Sequence, residues 1–268
     1  MKPWLDVCRA AAADVRAQLD KLPTRAEREP VLAAGVGGDD TTVIDAAAEG
    51  VIVARLEELH RSGIEFTLIS EELGERAFGS SETRVVVDPI DGSVNAKRGL
   101  RHFCVSIAVA EGPSYRDVVF GYIYDFGSGE EWTATKGEGA RLDGRSVGDV
   151  RPKDRVEILA LEATLSKTVA EKAVALADYA LRYRITGSLA LSLCQFAAGR
   201  LDAVCSLRGA RAVDVAAAQL VVRECGLDIG FADGSSWDAA PLGTAHQPAV
   251  VAAPTKELRD RLAEILMM

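Results

Sequence analysis

Apolar residues recur at helical spacing in two stretches of the first sixty residues. The spacing predicts amphipathic helices over residues 4–22 and 45–60, the first ended by Pro23 and the second by Gly63. We expect these two helices to pack together. Residues 23–40 carry charges followed by glycines, a composition that favours a mobile loop over a packed element.

The next part of the chain is rich in β-forming residues. The pattern predicts strands over residues 64–70, 83–89, 102–112, 117–125, 130–139 and 139–144. We expect these strands to form an antiparallel sheet.

After about residue 150 the predicted strands alternate with helices. Predicted strands are residues 156–163, 181–186, 201–207, 227–233 and 248–254, and predicted helices are residues 167–179, 188–198, 213–225 and a last one from 255. The alternation predicts an α/β lobe. No linker rich in proline, serine or charge separates residues 1–150 from 151–268, so we expect one unit with two lobes.

Charge and hydropathy exclude several classes of partner. The formal charge of −9 and pI near 5.0 oppose attraction to nucleic acid or to anionic membranes, which favour basic surfaces. No apolar run approaches the ~20 residues of a membrane span, and the amino terminus resembles an amphipathic helix rather than a signal peptide. We therefore expect a cytoplasmic protein without nucleic-acid or membrane partners.

The cysteine and histidine content argues against two other chemistries. The five cysteines form no CxxC pair, and we expect buried, reduced thiols. The chain has three histidines, so a zinc site built from several histidines would need all of them.

The most informative segment is DPIDG, which follows a valine-rich strand. The strand is not expected to continue through Pro89, whose ring fixes φ and removes the amide hydrogen, so Asp88 and Asp91 would lie together at its end. Gly92 lets the backbone approach a ligand closely. A helix starting at Ser93 would offer free N–H groups to a phosphate.

Other acidic residues stand at comparable strand and helix ends, namely Asp45, Glu71, Glu72 and Asp214. Magnesium prefers oxygen ligands and binds through a few carboxylates plus water and substrate phosphate. Two such ions ~3.5–4 Å apart can activate water and stabilise the leaving oxygen of a phosphate ester. The pattern therefore predicts a Mg²⁺-dependent phosphatase, in which bound cations offset the acidity that would repel a phosphate.

Four segments resemble the inositol monophosphatase superfamily, and especially its archaeal-type fructose-1,6-bisphosphatase/inositol-1-monophosphatase branch. DPIDGSVN resembles the central DPIDGTxN motif, SEEL the paired-glutamate motif, and VDVAAAQLVVRECG the carboxy-terminal WDxAAGxLIxxEAG motif. GVGGDDTTVID resembles the glycine-rich segment, with Thr42 and Asp45 in the places of the Thr-x-x-Asp pair. Their order along the chain agrees with the family.

The resemblance implies a layered αβαβα sugar-phosphatase fold that combines α+β and α/β features. It implies a single catalytic unit over residues 1–268. The lobe of residues 1–150 would hold an antiparallel-rich sheet and most metal ligands, and the α/β lobe of residues 151–268 would hold the substrate rim. It also implies a homodimer acting on a small-molecule phosphate ester.

Site roles are carried over from the resemblance to matching positions. Two or three Mg²⁺ ions, with Mn²⁺ as an alternative, would be bound by Glu71, Asp88, Asp91, Asp214 and the carbonyl of Ile90, supported by Glu72. Catalytic roles fall to Thr42, Asp45, Glu71 and Ser93, with Asp45 and the Ser93 hydroxyl orienting the attacking water. RITGSLALSL resembles the segment that contacts the substrate. Substrate-binding roles fall to Asp91, Gly92, Ser93, Arg184, Gly187, Ser188, Leu189 and Arg208, with Arg211 near the same rim.

The chain departs from the family pattern at several positions. Ser93, Val213 and Ala218 replace threonine, tryptophan and glycine, changes expected to alter packing more than chemistry. Leu207 and Arg208 stand near the place where animal inositol monophosphatases have a glutamate that binds inositol hydroxyls. Because arginine favours phosphate recognition, the exchange favours an enzyme that accepts both inositol 1-phosphate and fructose 1,6-bisphosphate.

Simpler interpretations remain for several of these residues. Asp39, Asp40 and Glu72 are also explained as caps or solvated turn residues, and Asp214 as a helix N-cap. Arg184 and Arg208 are equally compatible with surface ion pairs. Alternative functions are a 3′-phosphonucleotide or NADP phosphatase of the same superfamily, and a catalytically silent protein that binds sugar phosphates or partner proteins.

Overall fold

The computed structural model describes residues 1–34, 40–79, 82–148, 155–162 and 165–268. The helices in these residues are α1 (Lys2–Lys21), α2 (Arg25–Arg28), α3 (Val43–Arg61), α4 (Ser93–Arg98), α5 (Ser166–Leu176), α6 (Leu189–Ala197), α7 (Ala212–Glu224) and α8 (Lys256–Met267). A short 3₁₀ helix covers Tyr115–Asp117. The strands are β1 (Val31–Ala34), β2 (Asp40–Thr42), β3 (Phe66–Ser70), β4 (Gly74–Phe78), β5 (Thr83–Asp91), β6 (Cys104–Glu111), β7 (Val118–Asp125), β8 (Glu131–Thr135), β9 (Gly139–Leu142), β10 (Arg145–Val147), β11 (Val156–Glu162), β12 (Ala180–Arg184), β13 (Ala203–Gly209), β14 (Asp228–Phe231) and β15 (Ala249–Ala253).

The first lobe is built on an eight-stranded sheet in the order β10-β9-β8-β7-β6-β5-β3-β4. Neighbouring strands are antiparallel except β3 and β5, which run parallel. The antiparallel sheet predicted from the sequence is thus confirmed apart from this one pair. Helices α1 and α3 pack on one face, as predicted, in a core that includes Val15, Ile52, Phe66 and Val87.

The second lobe is built on a five-stranded sheet in the order β12-β11-β13-β15-β14. Strands β11, β12 and β13 are parallel, while β15 is antiparallel to both of its neighbours. All the strands and helices predicted after residue 155 are present, with ends shifted by a few residues.

Successive side chains of β11 and β13 point to opposite faces of the five-stranded sheet, and this shows which helices cover each face. Buried residues at odd positions of β11 and β13, such as Leu159 and Cys205, pack against α5 and α8, whereas Ala160 and Val204 pack toward α6 and α7. The core around α6 and α7 also contains Val86 and other side chains from the eight-stranded sheet. The order is therefore α1/α3, sheet, α6/α7, sheet, α5/α8, which is the predicted αβαβα arrangement.

Two local expectations are wrong. Strand β5 continues through Pro89 to Asp91, because a register shift against β6 between Asp88 and Asp91 forms an irregularity of the kind that accepts proline. The predicted loop over residues 23–40 contains α2, started by a capping box at Thr24, and β1, which pairs with β2. The glycines of this segment and Asp39 lie outside the described residues.

In the described residues, no helix combines the length and the apolar character that crossing a membrane requires.

The five cysteines are unpaired thiols, four of them buried and Cys225 half-buried, close to the prediction. Trp132 and Trp237 are buried in the core.

Candidate active site

The irregular end of β5 buries two carboxylates. Asp88 is 1% and Asp91 9% exposed. The Ile90 amide donates to Asp88 Oδ1 at 2.9 Å, which fixes the first carboxylate against its own turn. The Ser93 hydroxyl donates to the Ile90 carbonyl at 2.9 Å, so the hydroxyl predicted to orient water lies beside the carbonyl predicted to bind metal.

Gly92 allows the turn after β5 to lie against the second lobe. Its φ of +95° is favourable only for glycine, and it is the N-cap of α4, which begins at Ser93. A Cβ atom at Gly92 would lie 3.0 Å from the His102 carbonyl oxygen and 3.2 Å from the Gly187 carbonyl oxygen. A side chain at this position would separate the two lobes at the site.

Asp91 joins the lobes through the amino terminus of α6. Its Oδ2 accepts hydrogen bonds from the Ser188 hydroxyl at 2.6 Å and from the Ala190 amide at 2.7 Å. Amide and hydroxyl donors at a helix amino terminus favour the charged carboxylate. The structure therefore places Ser188, predicted to bind substrate, as a buried partner of Asp91.

A buried glutamate that the sequence motifs did not identify holds this contact in place. Glu162, at the end of β11, accepts from the Thr186 hydroxyl at 2.8 Å, the Ser192 hydroxyl at 2.6 Å and the Gly187 amide at 2.9 Å. The signal available in the sequence was an acidic residue that ends the apolar strand VEILALE. Its partners lie 24 to 30 residues away, so spacing did not indicate them.

A second such residue supports the turn that carries the paired glutamates. Glu49 on α3 accepts from the Ser70 hydroxyl at 2.5 Å and from the Leu73 amide at 3.1 Å. The turn between β3 and β4 is thereby fixed against α3. Glu71 lies in this turn, and its backbone amide donates to the Val87 carbonyl of β5.

An arginine connects the carboxylates of the two lobes. Nη2 of Arg211 lies 2.6 Å from Glu71 Oε1 and 3.1 Å from Asp214 Oδ1. The Arg211 amide also donates to Asp214 Oδ2 at 2.7 Å, so Asp214 caps α7 from inside the helix. The side chain of Arg211, which was expected near the substrate rim, is buried among these carboxylates.

Thr42 and Asp45 form the pair that the motif predicted. The Thr42 hydroxyl and amide both donate to Asp45 Oδ2, at 2.5 and 3.1 Å, in a capping box at the start of α3. Lys97 Nζ lies 3.7 Å from the same oxygen. Asp45 Oδ1 is buried and has no hydrogen-bond partner among the described residues.

Burial and mutual repulsion raise the pKa of the clustered carboxyls. Burial, followed by the charges of Glu71, Asp91 and Asp214, raises the pKa of Asp88 well above its usual value. Burial raises the pKa of Asp91 to about 7, although the Ser188 hydrogen bond opposes the change. Burial likewise raises the pKa of Glu72 to about 7, against its hydrogen bond from Thr41.

The neighbouring carboxylates keep the guanidinium of Arg211 charged. Burial lowers the pKa of its guanidinium, but Asp214, Glu71 and Asp88 raise the pKa by more. In the described part of the chain, the ion pairs at these carboxyl groups come from Arg211 and Lys97, so the carboxyl groups outnumber the cations paired with them.

The two rim arginines differ from this buried set. Arg184 and Arg208 are exposed, and Arg184 donates to the neighbouring Tyr183 carbonyl. Leu189, the first residue of α6, is half-buried against the central core. The substrate roles of these residues stay predictions.

Comparison with known proteins identifies this arrangement. The model of the inositol monophosphatase family matches residues 5–267. The chain belongs to the inositol monophosphatase family. A fructose-1,6-bisphosphatase/inositol-1-monophosphatase of Methanothermobacter thermautotrophicus is 30% identical over 98% of this chain and 96% of its own length.

A second relative is similar to this chain in sequence, and a solved structure is similar to it in fold. Nus factor SuhB of Escherichia coli K12 is 34% identical over 85% of both chains. A crystal structure described as an inositol monophosphatase–fructose 1,6-bisphosphatase superimposes with a TM-score of 0.84 at 28% identity, covering 98% of this chain and 99% of the other. The layered fold predicted from the sequence is therefore that of the family.

The residues at this site fit a hard divalent cation. Their donors are carboxylate and carbonyl oxygens. Burial first, and then the repulsion of acidic neighbours, raises the pKa of Asp88, and a bound cation would relieve the repulsion. Within the described parts of the chain, no group of three or more His, Cys, Asp or Glu side chains already converges as a metal site. The ligand set Glu71, Asp88, Ile90, Asp91 and Asp214 stays a prediction.

Proposed function

We propose that this inositol monophosphatase family member hydrolyses phosphate monoesters of small sugars and cyclitols, with inositol 1-phosphate and fructose 1,6-bisphosphate as substrates. The observation that carries the proposal is the carboxylate cluster between the lobes, in which Arg211 links Glu71 of the first lobe to Asp214 of the second and the buried Asp88 lies beside Glu71. The names of the archaeal relatives support the two substrates.

We propose Mg²⁺ as the cofactor, two or three ions per site, with Mn²⁺ as a substitute. Glu71, Asp88, Asp91, Asp214 and the Ile90 carbonyl would hold the ions. When bound, such ions activate water and stabilise negative charge on a phosphate ester.

The protein's own groups would then position and deprotonate the attacking water. Thr42 and Lys97 hold Asp45 through Oδ2, which leaves the buried Oδ1 as the acceptor for a proton. The Ser93 hydroxyl, which donates to the Ile90 carbonyl, is a second group that would orient the water. Gly187 and Gly92 bring the backbones of the two lobes close enough to enclose the ester between them.

We assign recognition of the substrate's outer part to the rim formed by Arg184 and Arg208. Both side chains are exposed, so they are able to meet a second phosphate at the mouth of the site. A homodimer in the cytoplasm completes the proposal. The large exposed apolar side chains of Leu165, Val174, Leu181 and Ile185 support association of two copies, which light scattering during size-exclusion chromatography measures.

The test is phosphate release from inositol 1-phosphate and fructose 1,6-bisphosphate, side by side, with and without Mg²⁺. The proposal expects release that requires the metal and is abolished in Asp91→Asn. A 3′-phosphonucleotide and NADP belong in the same panel, since release from them alone would replace the substrate class while keeping the metal chemistry.

The relatives named Nus factor SuhB give the silent alternative a specific basis. In that case the protein would bind a partner or a sugar phosphate without turnover. Phosphate release that is absent from wild type, or equal in wild type and Asp91→Asn, would favour this alternative over the enzyme.

A further inference from the structure

Arg211 is buried to an extent that arginine reaches only when it is paired. Its side chain is 6% exposed, and it lies between two carboxylates that are themselves mostly buried. The cost of removing a guanidinium from water is offset there by ion pairs rather than by solvent. The side chain is therefore part of the carboxylate cluster and not of the surface.

Nη2 of the Arg211 guanidinium contacts both carboxylates, and Nε also lies 3.5 Å from Asp214 Oδ2. Nη2 is within 3.1 Å of one oxygen from Glu71 and one from Asp214, so a positive charge is shared by a carboxylate of each lobe. A divalent cation bound by the same two residues would need those oxygens. The guanidinium of arginine stays protonated in proteins, so its charge is not removed by deprotonation. When a divalent ion binds, the guanidinium would have to move away from the two oxygens.

We propose that Arg211 is a resident cation that holds Glu71 and Asp214 together before a divalent ion binds, and that it competes with that ion for their oxygens. This inference rests on the proposed function, because it takes these two carboxylates as metal ligands. It makes Arg211 a positioning residue that sets metal affinity and stabilises the metal-free protein.

Removing the guanidinium of Arg211 should lower the stability of the metal-free protein but raise its affinity for a divalent ion. Removing the guanidinium leaves Glu71 and Asp214 without the cation between them, so the metal-free protein becomes less stable. The same removal frees the oxygens, so a divalent ion binds more tightly and restores the lost stability. A purely structural arginine would give the first effect without the second.

Arg211→Met is the test variant, since it keeps an unbranched apolar stem and the backbone cap of α7 while removing the guanidinium. Arg211→Lys keeps the charge but not the fork that reaches both carboxylates. Arg259→Met is the matched control, because Arg259 also bridges two carboxylates, Asp228 and Asp260, away from this cluster. Binding of Mn²⁺ to full-length protein without substrate is measured by electron paramagnetic resonance, and melting temperatures are measured with EDTA and with saturating Mn²⁺.

We expect the Mn²⁺ Kd to fall by at least about fivefold in Arg211→Met and by less in Arg211→Lys, with no change in Arg259→Met. The melting temperature of Arg211→Met should be lower in EDTA and recover with Mn²⁺. If Arg211→Met does not fold, the Kd of Arg211→Lys decides. A Kd that is unchanged or higher in the variants, with wild type binding Mn²⁺, overturns the inference alone. Absence of Mn²⁺ binding by wild type overturns the proposed function and this inference together.

Discussion

Asp91 combines a structural contact between the lobes with a proposed role in metal binding. Its Oδ2 is held by Ser188 and Ala190 of the second lobe, while its position after Asp88 gives it a place in the carboxylate cluster. Burial favours the neutral acid, and the hydrogen bonds favour the carboxylate. The balance makes its ionisation sensitive to pH and to metal.

The pKa of Asp91 predicts how the stability of the metal-free protein changes with pH. The pKa of Asp91 is about 7 in the folded protein and near 3.8 in the unfolded chain. Between these two pH values, the folded protein holds a proton on Asp91 that the unfolded chain has lost. The contribution of Asp91 to the free energy of unfolding is fully present below about pH 3.8 and is lost as the pH rises through about 7. Asp91→Asn, which cannot ionise, should gain in free energy of unfolding relative to wild type between about pH 5 and about pH 8.

Urea denaturation in EDTA at several pH values measures this difference. Adding Mg²⁺ at about pH 8 should reverse it, since wild type then gains a cation that the variant binds more weakly. A pH-independent difference between wild type and Asp91→Asn would contradict the assignment.

Ser188 should affect turnover through Asp91. Ser188→Ala removes a 2.6 Å hydrogen bond to the carboxylate, so we expect a loss of about 1–3 kcal/mol in stability and roughly a 10- to 100-fold fall in kcat. Ser62→Ala is the control, because the Ser62 hydroxyl bonds the Leu59 carbonyl at the exposed end of α3. Equal kcat in the two variants would show that Ser188 does not position Asp91.

Which site residues are predictable from sequence depends on how local their contacts are. Asp88, Thr42 and Asp45 make hydrogen bonds within short segments, and the motifs that predict roles for them are local too. The contact of Arg211 with Glu71 spans 140 residues, so only the fold brings the pair together.

At the scale of elements, helix α7 lies directly against the eight-stranded sheet because Gly121 on β7 has no side chain. A Cβ atom there would lie 2.7 Å from the Ala217 carbonyl oxygen of α7. This approach places Asp214, at the start of α7, over the sheet that carries Asp88. The packing of one helix thus positions a predicted ligand.

Gly121→Ala should therefore destabilise the protein by about 1–3 kcal/mol, since two backbones would have to separate. Gly50→Ala is the matched control. Gly50 is exposed within α3, with nothing within 4 Å of the added Cβ, so this variant should be more stable by about 0.5–1 kcal/mol. Thermal unfolding of both measures the contrast, and two changes of the same sign would contradict it.

Glu162 should matter for the turn that begins α6. Glu162→Gln replaces one acceptor oxygen with a donor that faces the Thr186, Ser192 and Gly187 donors, so we expect a loss of about 1–3 kcal/mol. We also expect a higher KM, since the turn carries predicted substrate contacts. Glu157→Gln, on the exposed side of the same strand, should change stability by less than about 0.5 kcal/mol. Equal effects of the two substitutions on stability and KM would refute this role for Glu162.

Periodicity predicts long buried elements better than short exposed ones. Helices α1 and α3 and the apolar strands follow from their patterns, because burial of one face determines both sequence and structure. Strands β4 and β10 and the β1–β2 hairpin were missed, since their exposed positions carry no apolar pattern and their pairing partners define them. The continuation of β5 through Pro89 likewise depends on the register of its neighbour β6.

At the scale of the whole molecule, the two lobes share one core. The hydrophobic cluster around α6 and α7 takes side chains from both sheets, including Val86 of the first lobe and Val204 of the second. The Asp91 contacts with Ser188 and Ala190 add a polar link at the site. Neither sheet is able to bury its inner face without the helices between them.

We therefore predict a single cooperative unfolding transition, despite a chain length at which separate domains are common. Unfolding one lobe alone would expose α6, α7 and the inner face of the other sheet to water, at a cost proportional to that apolar area. Calorimetry should give equal calorimetric and van't Hoff enthalpies, and saturating Mg²⁺ should raise the whole transition because its proposed ligands come from both lobes. Two separable transitions, or a Mg²⁺ shift confined to one of them, would show that the lobes fold as independent domains and that the site forms only on their docking.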